Sequence, residues 1–95
     1  MKKLYVIADQ SLSKRQQFVQ GAHAIAEFVR TNATADEWPN GTLVMLKTKN
    51  LQELADKLHG DQIHYSWFNE PYYDGMLTAI CALDIGDYVD KLQLI

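Results

Sequence analysis

With a single cysteine, Cys81, the chain can have no disulfide framework and no thiol pair to hold a zinc ion. Cys81 sits in an apolar run and reads as core filling, which fits a reducing cytosol and an expected cytoplasmic location. No apolar run approaches the roughly 18–20 residues a membrane helix needs. Lys2-Lys3 leads straight into a short strand-like run, not the apolar segment of a signal peptide. The phosphate-cradling GxGxxG and GxxxxGKS/T loops, the GxSxG nucleophile elbow, HExxH and CxxC are all missing. His23, His59 and His64 fall on different expected elements without ligand spacing, so no metal site is expected. Low-complexity tracts, linkers and internal repeats are absent as well.

What remains is the composition of one globular domain over residues 1–95. Apolar residues make up 47% and charged residues 22%, enough for a core and too little charge for disorder. The net charge of −3 is unevenly placed: residues 1–50 hold seven basic and four acidic side chains, residues 51–95 two and eight. A nucleic-acid-binding face would have to come from Lys2, Lys3, Lys14, Arg15, Arg30, Lys47 and Lys49. Composition alone favours an ordinary solvated surface.

Leu4–Ala8 (LYVIA) reads as a buried first strand. Ser13-Lys14-Arg15-Gln16 has the form of a capping box, in which Ser13 accepts from the Gln16 amide and Gln16 reaches back. The helix it opens should run to Arg30 or Thr31, with Phe18, Ala22, Ile25 and Val29 as its core face. Residues 31–41 form a loop, Thr42–Lys47 a second strand, and Asn50-Leu51-Gln52-Glu53 a second capping box. That helix should bury Leu51, Leu54, Ala55 and Leu58 and stop at Gly60. Ile63–Phe68 and Leu77–Leu83 read as strands joined by a turn-forming loop, Asn69–Gly75. The tail from Gly86 suggests a short helix starting at Asp87 and then an extended end. The expected fold is a three-layer α/β/α arrangement on a mixed four-stranded sheet, in β-α-β-α-β-β order with a short tail.

Two groups of residues could carry chemistry. At about 100° per residue, Gln16, Gln20, His23 and Glu27 share one helix face, opposite the expected core face. Small neighbours leave the His23 imidazole accessible, and histidine changes charge most readily near neutrality. A lone helix histidine is nonetheless more often structural, and Glu27 and Arg30 read equally as a solvated edge. The second group is Phe68-Asn69-Glu70-Pro71-Tyr72-Tyr73-Asp74-Gly75 with Thr78 in the strand beyond. Loops at strand ends often carry function. Here an acidic turn with a satisfied threonine is an equal alternative.

These same residues resemble the peptidyl-tRNA hydrolase 2 family. Ser13-Lys14 followed by Gln20-Gly21-Ala22-His23-Ala24 is similar to the family's S-K-G-K-x-x-x-Q-x-x-H-A helix, and Gly75-Met76-Leu77-Thr78-Ala79-Ile80 to its P-G-T-x-T strand start. Trp38, Gly41, the TLVMLK strand and the Asn50–Leu58 helix follow in the family's order, so the resemblance covers nearly the whole chain. It implies hydrolysis of the ester joining a peptide or N-blocked amino acid to tRNA, with no cofactor and with tRNA as the partner. A homodimer is a further possibility for the assembly. The resemblance implies His23, Gln20, Glu70 and Thr78 as catalytic residues, and Lys14, Arg15, Gln16 and Gly75 as substrate contacts. Two departures stand out. Gln16 replaces the family's second lysine, and the C-terminal half is acidic. Both favour the alternative of a catalytically silent relative, acting as an RNA-binding or protein-interaction module.

Overall fold

The computed structural model describes residues 2–31 and 35–95. Residues 32–34 of the expected 31–41 loop lie outside the described residues. Strand β1 (Leu4–Asp9) leads into helix α1 (Lys14–Thr31), and strand β2 (Leu43–Thr48) into helix α2 (Leu51–Gly60). Strands β3 (Ser66–Glu70) and β4 (Met76–Leu83) follow, then helix α3 (Gly86–Val89) and strand β5 (Gln93–Leu94). A 3-10 turn over Ala35–Glu37 precedes β2, and another over Pro71–Tyr73 joins β3 to β4.

The sheet has five strands in the order β3-β4-β1-β2-β5, not the four expected. The extra strand comes from the tail, where Gln93 and Leu94 pair antiparallel with Lys47 and Leu46. Two residues are too few to show an alternating pattern in the sequence. β1 and β2 are parallel, as expected of a β-α-β step, whereas β4 runs antiparallel to both β1 and β3.

Period-two alternation sends the central strands' side chains to two cores. Leu4 and Val6 of β1 join Ala79 and Cys81 of β4 on the α1 side, around Phe28 and Ala24. Ile7, Ile80 and Ala82 point the other way, toward Leu51, Ala55 and Leu58 of α2 and Val89 of α3. Helices therefore cover both faces of the sheet. Burial pushes the Cys81 thiol up to about 12, consistent with inert core filling.

The face of α1 corrects the sequence reading. Its buried residues are Gln17, Gln20, Gly21, Ala24 and Phe28. Of the expected core residues, Phe18 is 43% exposed and Val29 59%, Ala22 is exposed, and only Ile25 is half-buried. Gly21 explains how a glutamine-bearing face can lie so close to the sheet. A methyl group there would stand 2.9 Å from Met45 Cε and 3.1 Å from Val6 Cγ1. Smaller corrections concern the helix ends. Ser13 Oγ accepts from the Gln16 amide at 3.2 Å, but the Gln16 side chain accepts from Gln20 instead of closing the box. Asn50 makes no side-chain cap, and α2 includes Gly60, with Gln62 (φ 59°) as the left-handed residue beyond it.

Candidate functional site

The polar residues buried between α1 and the sheet form one connected group. Gln20, fully buried on α1, donates through Nε2 to Glu70 Oε1 at 3.1 Å and to Gln16 Oε1 at 3.3 Å. Its Oε1 accepts from the Thr78 hydroxyl at 2.6 Å, and Thr78 Oγ1 also lies 3.3 Å from the Phe68 carbonyl oxygen. A buried amide has four hydrogen-bonding sites that are costly to leave empty, and here at least three are occupied by side chains.

A β-bulge brings Thr78 into this group. Phe68 pairs with Ala79 and Asn69 with Leu77, leaving Thr78 as the additional residue of β4. Strict alternation from Ile80 would turn Thr78 toward α2; the bulge re-aims its side chain to the α1 side, where it meets Gln20. Glu70 closes β3 opposite Met76, nine-tenths buried. Its position is held by the turn that follows: the Gly75 amide donates to the Glu70 carbonyl at 3.0 Å. Asp74 (φ 54°) and Gly75 (φ 78°) make that return in left-handed conformations, which glycine adopts without strain.

His23 lies one turn along α1, exposed at the rim. Its ring stacks on Phe68 with centroids 4.3 Å apart and planes 10° from parallel. Lys14 and Arg15 occupy the first turn of α1, exposed, at the positive end of the helix dipole. The structure thus joins Gln16, Gln20, Glu70 and Thr78 by hydrogen bonds and sets His23 beside Phe68. It places Lys14, Arg15 and Gly75 on the exposed surface. Glu27, the last member of the helix stripe, pairs with Arg30 at 2.7 Å, at a solvated edge.

Sequence reasoning missed one member and one contact. Gln17 is buried and donates through Nε2 to the Leu12 carbonyl at 2.8 Å, tying the β1–α1 loop to the helix, while its Oε1 has no partner among the described residues. The spacing 17, 21, 24, 28 could have revealed it, but glutamine and glycine at two of those positions hid the seam. Phe68 stood in the second candidate group, but nothing in the sequence pairs it with His23.

A cavity of about 380 Å³ lies on the α2 side where β1 and β2 end, lined by Asp9, Lys49, Asn50, Met76, Leu77 and residues of α2. A larger one of about 560 Å³ lies beside it, between α2 and the segment around Tyr88, and shares Asn50 and Glu53 with it. Neither is lined by His23, Gln20, Glu70 or Thr78. Among the described residues no cluster of three His, Cys, Asp or Glu side chains could hold a metal, and no helix is long and apolar enough to cross a membrane.

No family model matches the sequence, and no curated protein does. Among solved structures, a protein of unknown function from Agrobacterium tumefaciens superposes with a TM-score of 0.74, over 99% of this chain and 97% of that one. At 13% identity, what the two share is the fold.

Proposed function

We propose that the protein hydrolyses the ester bond of peptidyl-tRNA or of an N-blocked aminoacyl-tRNA. One observation carries this reading. Gln20 and Thr78, 58 positions apart and drawn from the two motifs that resemble the hydrolase family, meet at 2.6 Å, with Glu70 on the same amide. Chance placement of three polar residues in an otherwise apolar interior is disfavoured by their desolvation.

In this scheme Glu70 is the general base. It takes a proton from the attacking water as the water oxygen bonds to the ester carbonyl. The proton then passes to the ribose oxygen as the carbon–oxygen ester bond breaks, so the acid and the free tRNA leave with charge and atoms balanced. Such assistance is worth roughly 10²–10⁴-fold. In this scheme Thr78 is a positioning residue. It is fully buried and donates to Gln20 Oε1, and so orients the Gln20 amide. Gln20 in turn presents its N–H to Glu70 and fixes the carboxylate. His23, flat against Phe68 at the rim, contacts the leaving ribose or its phosphate. Lys14 and Arg15 hold tRNA phosphates, which makes binding weaken as salt rises, and the exposed Trp67 and Tyr72 offer stacking faces for the unpaired 3′ bases.

The test is release of an N-acetylated amino acid from tRNA at low salt, comparing the natural protein with Glu70→Gln and His23→Ala. Turnover that falls at least tenfold in Glu70→Gln, about 1.4 kcal/mol of transition-state stabilisation, is the expected result. Turnover indifferent to both substitutions removes this site. No turnover from folded protein favours the second reading, a silent relative acting through an interaction surface, for which the exposed apolar side of α1 is the specific observation.

A further inference from the structure

At the carboxyl ends of β1 and β2 the chain departs to opposite faces of the sheet. These strands are parallel neighbours ending at Asp9 and Thr48, after which one connection leads to α1 and the other to α2. In open α/β sheets ligands bind in the crevice at such a divergence. The two cavities, of about 380 and 560 Å³, begin there and continue into one another along the first turn of α2, through Asn50 and Glu53. No residue of the Gln20 group lines either, so what binds there is independent of ester cleavage.

One hydrogen bond leaves several polar groups along this groove unused. Thr48, 7% exposed, shares the face of Leu46 toward α2 and lines the larger cavity. Its Oγ1 accepts from the Asn50 amide at 3.2 Å, while its own proton has no acceptor among the described residues. A capping-box glutamate would return to that same amide. With the amide taken, Glu53 has no ion pair among the described residues, and Asn50 makes no side-chain cap. The amides of Leu51, Gln52 and Glu53 have no intrahelical acceptor either. On the α3 side Asp87 is likewise without an ion pair among the described residues. Asp61 is committed, taking the Tyr88 hydroxyl at 2.9 Å and Lys57 at 3.4 Å. Leu54, Leu92 and Tyr88 supply apolar wall.

We propose that this groove binds a free α-amino acid with an apolar side chain. Its carboxylate accepts from the Thr48 hydroxyl and from the free amides that open α2, where the helix dipole favours negative charge. Its ammonium donates to Glu53 and Asp87, and its side chain lies against Leu54, Leu92 and Tyr88. Both charged ends are needed. A simple anion such as phosphate would face two unpaired carboxylates, and a simple amine would bring no acceptor to the Thr48 proton and the helix amides. At about 560 Å³ the larger cavity falls in the size range of small-molecule sites.

The test follows backbone amide chemical shifts of the isotope-labelled full chain as leucine, methionine or phenylalanine is added to about 10 mM. The expected result is saturable shifts at Thr48, at the first turn of α2 and at Tyr88, with dissociation at about 10 µM–1 mM for at least one of the three. The best ligand without its carboxylate (isoamylamine for leucine), or acetylated on its nitrogen, should bind at least tenfold more weakly. Thr48→Val and Glu53→Gln should each weaken the best ligand at least tenfold. Glu53 is exposed, so its variant folds whatever becomes of Thr48→Val. No saturable shift with any of the three amino acids overturns the inference. So do shifts confined to residues outside the groove, an amine or N-acetyl compound that matches its parent amino acid, or an affinity unchanged in Glu53→Gln.

Discussion

Helix α1 carries two seams of identical spacing, offset by one residue. Gln17, Gly21, Ala24 and Phe28 face the sheet, whereas Phe18, Ala22 and Val29 lie on the exposed flank about 100° round the helix, with half-buried Ile25 at the border, packed against the α1-side core. Hydrophobicity alone would have buried the second. The helix is therefore seated by size and by a polar anchor as much as by apolar area. Gly21 and Ala24 let the backbone come close, Phe28 fills the core beside Leu4 and Val6, and Gln20 on their flank finds three partners. A phenylalanine at position 18 facing the sheet would meet no such recess.

The contrast between the seams is broken most severely at Phe28. Phe28→Ala should cost about 3–5 kcal/mol, the loss of a fully buried aromatic plus the cavity it leaves, read by urea unfolding. Next comes Thr78→Val, nearly isosteric. It removes the donor to Gln20 Oε1 and leaves a buried acceptor unsatisfied, an expected loss of about 1–3 kcal/mol. If Thr78 positions Gln20 as proposed, ester turnover falls with it. Gly21→Ala should change stability by less than about 1 kcal/mol, because the gain in helix propensity opposes a shift of a few tenths of an ångström away from Met45 Cε and Val6 Cγ1. Smallest is Val29→Ala on the outer seam, within about 0.5 kcal/mol for dilute protein. A loss there as large as that of Phe28→Ala would mean that α1 is seated the other way round.

Much of the architecture was legible because apolar periodicity is a direct record of burial. β1, β2, β4, α1 and α2 lie within a residue or two of their expected places, and Leu51, Ala55 and Leu58 line the buried side of α2 as read. The choice between the two α1 seams was not legible, since both satisfy the same period and only the tertiary contacts at Gly21 distinguish them. β5 was too short to leave a pattern. At the candidate site, Gln20, His23, Glu70 and Thr78 were singled out from motif resemblance and loop position. That Gln20, Glu70 and Thr78 bond to one another depends on the bulge at Thr78, and a one-residue shift in register leaves no trace in composition. The proton direction at Thr78, on which its proposed orienting role rests, follows from the 2.6 Å contact and from nothing earlier.

Gly21 adjoins Gln20, so the depth of one determines the reach of the other. The space a methyl would claim against Val6 and Met45 is the space that lets the Gln20 amide come within 2.6 Å of Thr78. An added methyl lifts the helix by a few tenths of an ångström, enough to slacken a short hydrogen bond long before it melts a core. The alignment of the polar group is then written at a residue with no side chain, and it can fail in a protein that still folds and melts as before.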